Sequence, residues 1–159
     1  MSAPYDRGSG RGRGPPRRRS AGVLSDEERS TLGRVIGDGD ALATIQWADQ
    51  IGRRLVDGRL TTSQIRNVFG EVRQIQLTWG QHEAKAYRRA VLLIPKISYQ
   101  AARVQRQGRE GMEELQRVLV PALELVAESK VEDRRSHFMN FADFFEAILA
   151  YHKKYGGRD

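Results

Sequence analysis

The sequence predicts an all-α fold, a compact bundle of about five to six helices, on three observations. Apolar residues recur at spacings of three and four through most of the chain after residue 22, which is the period of one helix face. No stretch alternates apolar and polar residues as a half-buried strand would. Capping residues precede the apolar series and glycines follow them, as expected at helix ends.

The chain divides into two predicted regions, a disordered basic tail over residues 1–22 and a helical bundle domain over residues 23–159. The tail holds Arg-Gly repeats, the proline pair at residues 15–16 and six arginines against one aspartate, with almost nothing to bury. It is either a flexible polycation that adds phosphate contacts or a solvated leader or expression remnant without a role. The remaining chain is long enough to bury a core, and the absence of cysteine excludes disulfides and thiolate chemistry.

Two capping patterns begin the bundle. Ser25 and Glu28 form a capping box for a short first helix that fades at residues 37–39. Asp40 caps a second helix that stops at Gly58. The apolar positions predicted for the second helix are Leu42, Ile45, Trp47, Ala48, Ile51 and Leu55.

A second capping box, Thr61 with Gln64, begins a third helix that runs from Thr62 to about residues 79–80. Its predicted buried face comprises Ile65, Val68, Phe69, Val72 and Ile75. Arg66 and Arg73 are seven residues apart, so both guanidinium groups project from one flank, about 10 Å apart.

Prolines mark the next two segments. The fourth covers residues 82–107, where Pro95 predicts a kink or a break near residues 91–95. Pro121 predicts the same within residues 110–129.

The last predicted helix runs from Arg135 or Ser136 to Tyr155, with a left-handed cap at residues 156–157. It holds half of the chain's twelve aromatic residues: Phe138, Phe141, Phe144, Phe145, Tyr151 and Tyr155. Core packing explains most of them. The two tyrosines near the C-terminus are the candidates for an exposed patch that meets a partner.

Positive charge is concentrated in the middle of the chain. The formal net charge is +7, but residues 50–109 hold twelve Lys or Arg against three acids, whereas residues 23–49 and 110–152 are net negative. Such a segment favours nucleic acid, because Lys and Arg contacts to phosphates give affinity without sequence information and strong salt dependence. The alternative is a merely solvated helical face. The predicted RNA-binding residues are Arg53, Arg54, Arg59, Arg66, Arg73, Lys85, Arg88, Arg89, Lys96, Arg103 and Arg106. They fall on three consecutive helices, which would form one positive groove if packed side by side.

No enzyme, metal site or cofactor is predicted. His82, His137 and His152 do not pair with one another or with a carboxylate at a metal-binding spacing. Asp143 and Glu146 lie one turn apart, an arrangement common on solvated helices. A glycine-rich phosphate loop and a serine elbow are both missing from the sequence. No apolar run approaches a membrane span, so a soluble, cytoplasmic protein is expected.

Three blocks of sequence carry a family resemblance. They are LTTSQIR at 60–66, LIPKISYQAAR at 93–103 and FADFFEAILAYHKKYGG at 141–157. In that order and spacing the chain resembles the small subunit of the type III-A CRISPR-Cas interference complex, the Csm small-subunit family, over about residues 40–157. The tail lies outside the resemblance, and Lys154 stands where an aromatic residue is expected.

The resemblance implies a non-catalytic helical bundle present in several copies along an RNA-guided effector. Its implied partners are guide and target RNA, the backbone and large subunits, and copies of itself in a filament. It assigns RNA cleavage to the backbone subunits, and DNA cleavage and cyclic oligoadenylate synthesis to the large subunit. By position, Arg66, Lys96 and Arg103 are the best candidates for contacts to the RNA backbone, while Tyr99 either stacks or packs.

Two functional hypotheses follow. The first is a non-catalytic RNA-binding scaffold that uses the basic residues of the middle segment. The alternative is a helical protein-protein interaction module whose aromatic C-terminal helix docks a partner and whose basic face is incidental. A nuclease would require a metal or acid-base cluster that the sequence does not show.

Overall fold

The computed structural model describes residues 23–104 and 106–158, and within them six α-helices and no strand. The helices are α1 Asp26–Leu32, α2 Ala41–Asp57, α3 Thr62–Trp79, α4 Glu83–Arg103, α5 Arg109–Glu128 and α6 Arg134–Lys154. A π-helical turn, Gly33–Gly37, extends α1, and a 3-10 turn, Val131–Asp133, precedes α6. The all-α prediction is confirmed. The predicted disordered tail lies outside the described residues, and the domain boundary stays a prediction.

Side-chain caps begin the first three helices as predicted. The Ser25 and Thr61 hydroxyls accept hydrogen bonds from the backbone N–H groups three residues on, and Glu28 and Gln64 reach back to complete two capping boxes. Asp40 caps α2 in the same way. These local bonds satisfy amides that have no partner inside the helix, which is why short sequence patterns locate the helix starts.

α2 is followed by Gly58, as predicted. A residue without a side chain is needed there because the backbone of α5 approaches closely. The N–H of Gly111 donates to the Gly58 carbonyl at 3.2 Å, and a Cβ on Gly58 would lie 2.4 Å from the Gly111 nitrogen. Gly58 has an ordinary negative φ, and the left-handed residue of this turn is Arg59, with φ of 59°. Gly58 therefore allows two backbones to meet, whereas Gly156, with φ of 88°, provides the left-handed turn predicted after α6.

The proline-containing helices are continuous. α4 runs through Pro95 and α5 through Pro121, so neither helix breaks, and α4 ends at Arg103 rather than near residue 107. Pro95 is exposed. On a solvent-facing side, water replaces the hydrogen bond that the missing N–H would have made, which lowers the cost of the proline.

α6 lies inside the bundle and packs on α2, α3 and α5. Around it, α3 packs on α4, α4 on α5 and α5 on α2. The four phenylalanines of α6 are fully buried, and three of their rings meet those of Trp47, Phe69 and Trp79 at centroid distances of 5.1–5.3 Å. The prediction that core packing explains most aromatic residues of this helix is confirmed.

The two tyrosines of α6 are half-buried against α2 rather than free. The Tyr155 hydroxyl donates to Asp49 and accepts a hydrogen bond from Arg53 at 2.9 Å. Gly52 lies against Tyr151, where a Cβ would be 2.6 Å from the Tyr151 Cβ. The suggested exposed tyrosine patch is therefore part of the α2–α6 packing.

Two apolar positions predicted for α2 are wrong. Leu42 is 67% exposed and Ile45 is 45% exposed, whereas Ala48, Ile51 and Leu55 are buried. At 100° per residue, Leu42 and Ile45 fall outside the arc of the helix that the buried residues share. Among the residues that the structure describes, no helix is long and apolar enough to cross a membrane.

Candidate nucleic-acid interface

The eleven predicted RNA-binding residues are all at the surface, ten of them exposed and Arg89 half-buried. Their helices are not packed in chain order. α3 lies beside α4, but α2 packs on α5 and α6 and makes no extensive contact with either α3 or α4. The eleven side chains therefore belong to separate surfaces rather than to one groove across three consecutive helices.

The arginines at the C-terminal half of α2 hold neighbouring helices. The Arg53 guanidinium lies 3.3 Å from Asp49 and 4.7 Å from the centre of the Tyr155 ring. Its hydrogen bond to Tyr155, followed by the nearby negative charges, raises the pKa of Arg53. Arg54 is 3.2 Å from Glu114 on α5. These two cations join α2 to α6 and α5, and Arg59 lies exposed in the connection that follows.

One flank of α3 faces α6. The Arg73 guanidinium is 3.2 Å from Glu146 and 4.9 Å from the centre of the Phe69 ring, which stacks on Phe145. Arg66, two turns earlier on the same flank, is exposed and makes no ion pair with the described residues. The shared flank predicted for Arg66 and Arg73 is thus directed away from α4.

The other flank of α3 meets α4 through Glu71. This carboxylate lies 3.4 Å from Arg89 and 3.7 Å from Lys96. Arg89 also donates to the Thr78 hydroxyl at 3.4 Å. One acid placed between two cations leaves a positive excess at this contact, and the exposed ion pairs add little stability.

The outer face of α4 carries a row of side chains that we call the α4 strip. It comprises Lys85, Arg88, Leu92, Lys96, Tyr99 and Arg103, all exposed and spaced by three or four residues along one side of the helix. At 1.5 Å per residue the row is about 27 Å long. The only acid on α4 is Glu83 in its first turn, so every charged side chain of the strip is basic.

Two apolar side chains interrupt the cations of the α4 strip. Leu92 is 44% exposed and Tyr99 is 60% exposed, so Tyr99 does not pack in the core. The Arg103 guanidinium lies 5.5 Å from the centre of the Tyr99 ring. The sequence did not lead us to predict Leu92 on this face. Two signals would have indicated it: its spacing of four from both Arg88 and Lys96, and its offset from the buried residues of α4.

The α4 strip has the chemistry of a surface that binds single-stranded nucleic acid. Lys85 and Arg88 make no hydrogen bond or ion pair with the described residues, so their charges are available to phosphates. An exposed aromatic ring beside an arginine offers a stacking surface for a base. Arg106 lies exposed just beyond the end of α4 and continues the positive charge.

Metal binding has no assembled site among the residues that the structure describes. In that part of the chain, no group of three or more His, Cys, Asp or Glu side chains has an arrangement that could hold a metal ion. Partial burial and then the charge of Glu146 raise the pKa of Asp143, while Glu146 is itself paired with Arg73.

A family model described as Csm2 Type III-A matches residues 38–158, which is more than half of the chain. The chain belongs to the Csm2 type III-A family. It is a small subunit of the type III-A Csm effector complex, and this is a family of non-catalytic subunits. Comparison with curated proteins and with solved structures gave no match.

The matched Csm2 region covers α2 to α6 and the whole α4 strip, whereas α1 lies before it. The three sequence blocks fall at the start of α3, in the second half of α4 and along α6 with the turn after it. The resemblance drawn from those blocks is confirmed. Membership of the family makes the chain part of a complex with other Csm subunits.

Proposed function

We propose that this Csm small subunit binds the backbone of RNA through the α4 strip. The observation that carries the proposal is a row of four exposed cations, about 27 Å long, with an exposed tyrosine and an exposed leucine between them. Lys and Arg neutralise phosphates without reading sequence. That property suits a subunit of an RNA-guided effector, in which base pairing with the guide supplies the specificity.

Tyr99 and Arg103 form the part of the proposed interface that contacts a base. Tyr99 presents its ring to solvent with the Arg103 guanidinium 5.5 Å from its centre. Stacking on such a ring tolerates any base, because every base has an aromatic face. The strip therefore combines phosphate contacts along its length with one stacking position near its C-terminal end.

The remaining predicted site residues contribute unequally. Arg89 and Lys96 share Glu71, so their positive charge is partly neutralised. Arg53, Arg54 and Arg73 each lie beside an acid, so their positive charge is also partly neutralised. Arg59, Arg66, Lys85, Arg88 and Arg106 are exposed and extend the positive surface.

The proposal also covers the setting of the subunit. It acts in the cytoplasm without catalysis of its own, beside the backbone and large subunits and copies of itself, with guide and target RNA as its nucleic-acid partners. The alternative of a protein-interaction module would use the aromatic side chains of α6, of which the four phenylalanines are buried and the two tyrosines half-buried.

Co-expression with a guide RNA and the other subunits of the complex tests this function. The wild-type chain should co-purify with the complex and protect RNA at regular intervals. A double variant of the α4 strip, K85Q/R88Q, should still assemble but should retain less target RNA. The matched control is R29Q/R34Q, which removes two exposed arginines from α1 and the turn after it.

Two outcomes would contradict the proposal. If K85Q/R88Q assembled and retained target RNA as well as wild type, the basic strip would be incidental and the protein-interaction alternative would be favoured. Equal losses of RNA in K85Q/R88Q and R29Q/R34Q would show a general effect of net charge rather than a contact on α4.

A further inference from the structure

Three glycines lie inside the described α-helices, where glycine is less favourable than any residue except proline. Two of them are explained by packing. A Cβ on Gly52 would lie 2.6 Å from the Tyr151 Cβ. A Cβ on Gly111 would lie 2.6 Å from the Leu60 Cβ. Gly70, in the middle of α3, is exposed, and apart from the adjacent residues and the helix backbone no atom lies within 4 Å of a Cβ built on it.

The nearest side chains on the helix surface surround Gly70. Residues three and four positions away are neighbours on an α-helix, and here they are Arg66, Asn67, Arg73 and Gln74. All four are exposed. Gly70 therefore leaves a depression bordered by two guanidinium groups and two amides, and we call these five residues the α3 notch.

The α3 notch lies on the outer side of α3, next to the α4 strip. At about 100° per residue, Gly70 lies roughly 40–60° around the helix from Arg66 and Arg73, whose flank faces α6. Glu71 lies about 100° away in the other direction. The Glu71 carboxylate is 3.7 Å from Lys96 of the strip, so one acid separates the notch from the strip.

The polar groups of the α3 notch are available to a ligand. The side chains of Asn67 and Gln74 make no hydrogen bond with the described residues, and each amide offers both donors and an acceptor. A ribose 2′-hydroxyl is also both donor and acceptor, and it is the group by which a protein distinguishes RNA from DNA. Arg66 makes no ion pair with the described residues, and Arg73 keeps further N–H donors beside its hydrogen bond to Glu146.

We propose that the α3 notch seats one sugar-phosphate unit of an RNA strand. Arg66 and Arg73 contact phosphates, and the amides of Asn67 and Gln74 contact the ribose 2′-hydroxyl. Gly70 allows the backbone of the strand to approach the helix, where a side chain would hold it away. Two arginines beside a basic strip favour nucleic acid over protein as the occupant. The inference rests on the proposed RNA binding and adds to it a preference for RNA over DNA.

Filling the α3 notch tests whether its space is used. G70A and G70L should raise the melting temperature of the full-length chain by about 2–4 °C, because alanine and leucine are better helix formers than glycine. In fluorescence anisotropy with a labelled single-stranded RNA, affinity should nevertheless fall about threefold for G70A and about tenfold for G70L, as contacts to the strand are lost. Unfolding cannot explain weaker binding by a more stable protein.

The matched controls for the notch are G33A and G33L. Gly33 is an exposed glycine of helical conformation in the turn after α1, and a Cβ built on it likewise has nothing within 4 Å. Both control variants should bind RNA with wild-type affinity.

A 2′-deoxy strand with the same bases tests the role of the two amides. N67A/Q74A should bind RNA about fivefold more weakly than wild type and should bind the deoxy strand as wild type does. The control Q46A/Q50A removes two exposed amides from α2 and should change neither affinity. K85Q/R88Q should weaken binding of both strands, because phosphates are common to RNA and DNA.

Three results would overturn the proposal. They are wild-type RNA affinity in G70L, equal losses in G70L and G33L, and equal losses of N67A/Q74A on RNA and on the deoxy strand. A G70L chain that kept its RNA affinity but no longer co-purified with the other subunits would make a protein the occupant of the notch. Failure of the α4 strip would be distinguishable, as wild-type affinity of K85Q/R88Q for both strands while G70L and N67A/Q74A still lost RNA.

Discussion

Two clusters of charge in this molecule use the same residue types for different purposes. At the junction of α1 and α5, Arg117 is only 11% exposed and is held between Glu28 and Glu114. Along the α4 strip, Lys85 and Arg88 are exposed and have no acid partner among the described residues. The first cluster balances its charges inside the fold, whereas the second leaves positive charge at the surface.

A count of charges does not by itself locate a binding surface. Arg117 is the more strongly bound cation, because hydrogen bonds from its guanidinium to Glu114 and Glu28 outweigh burial and raise its pKa. The same contacts that stabilise the fold remove Arg117 from any role with an external phosphate. Exposure and the absence of a partner, rather than charge alone, identify the α4 strip.

The largest expected difference in stability is between two variants, each of which replaces one arginine of a cluster by glutamine. R117Q should lower the free energy of unfolding by about 2–4 kcal/mol, because it leaves Glu28 without its cation and Glu114 with Arg54 alone. R88Q should change it by no more than about 0.5 kcal/mol, since Arg88 is exposed and unpaired. Urea denaturation of both variants at pH 7 measures the difference. Equal losses would remove the distinction between the two clusters.

A smaller effect is expected at Glu28, whose hydrogen bonds from Arg117 lower its pKa to about 2. A carboxyl with a lowered pKa stabilises the fold above its unfolded pKa, and this stabilisation is lost as the pH falls from about 4.5 towards 2. E28Q should therefore cost about 1–2 kcal/mol at pH 7 and progressively less in acid.

The neighbouring variant E27Q is the matched control for E28Q. Glu27 is exposed and makes no ion pair with the described residues, so its removal should leave stability nearly unchanged at either pH. Unfolding in urea at pH 7, 5 and 3 separates the two variants. A cost for E28Q that did not shrink with acid would contradict the proposed charge contact.

The smallest expected effect on stability is that of E71Q, a change at the contact between α3 and α4. E71Q removes the acid between Arg89 and Lys96, so stability should change by no more than about 0.5 kcal/mol. RNA affinity should rise roughly threefold at 0.1 M salt, because two more cations become fully available to phosphates. Fluorescence anisotropy with a labelled single strand measures the affinity. Weaker binding would mean that Glu71 holds these cations in place for RNA.

Sequence patterns predicted the parts of this fold that depend on near neighbours in the chain. The caps at Ser25, Asp40 and Thr61 join residues three apart, and the buried faces of α3 and α4 follow the helix period. The prediction failed at Leu42 and Ile45 because hydrophobicity alone does not bury a side chain, and both residues lie outside the arc that the other apolar residues of α2 share.

The candidate site was only partly predictable, because it depends on which helices become neighbours. The four cations of the strip were named from charge and spacing, whereas Tyr99 came from the family resemblance and Leu92 was not named. The separation of α2 from α3 and α4 follows from the packing of α6 beside α2. Contacts such as Arg117 with Glu28 and Tyr155 with Asp49 join residues 89 and 106 positions apart. No local pattern indicates which arginines such contacts engage.

The salt dependence of RNA affinity tests the α4 strip most directly. The logarithm of the binding constant of a single strand is measured against the logarithm of salt concentration for wild type, K85Q/R88Q and R29Q/R34Q. Each cation that contacts a phosphate contributes about 0.7 to the slope, so K85Q/R88Q should be shallower than wild type by roughly 1.4. R29Q/R34Q should keep the wild-type slope. A wild-type slope in K85Q/R88Q, or the same reduction in both double variants, would contradict the account.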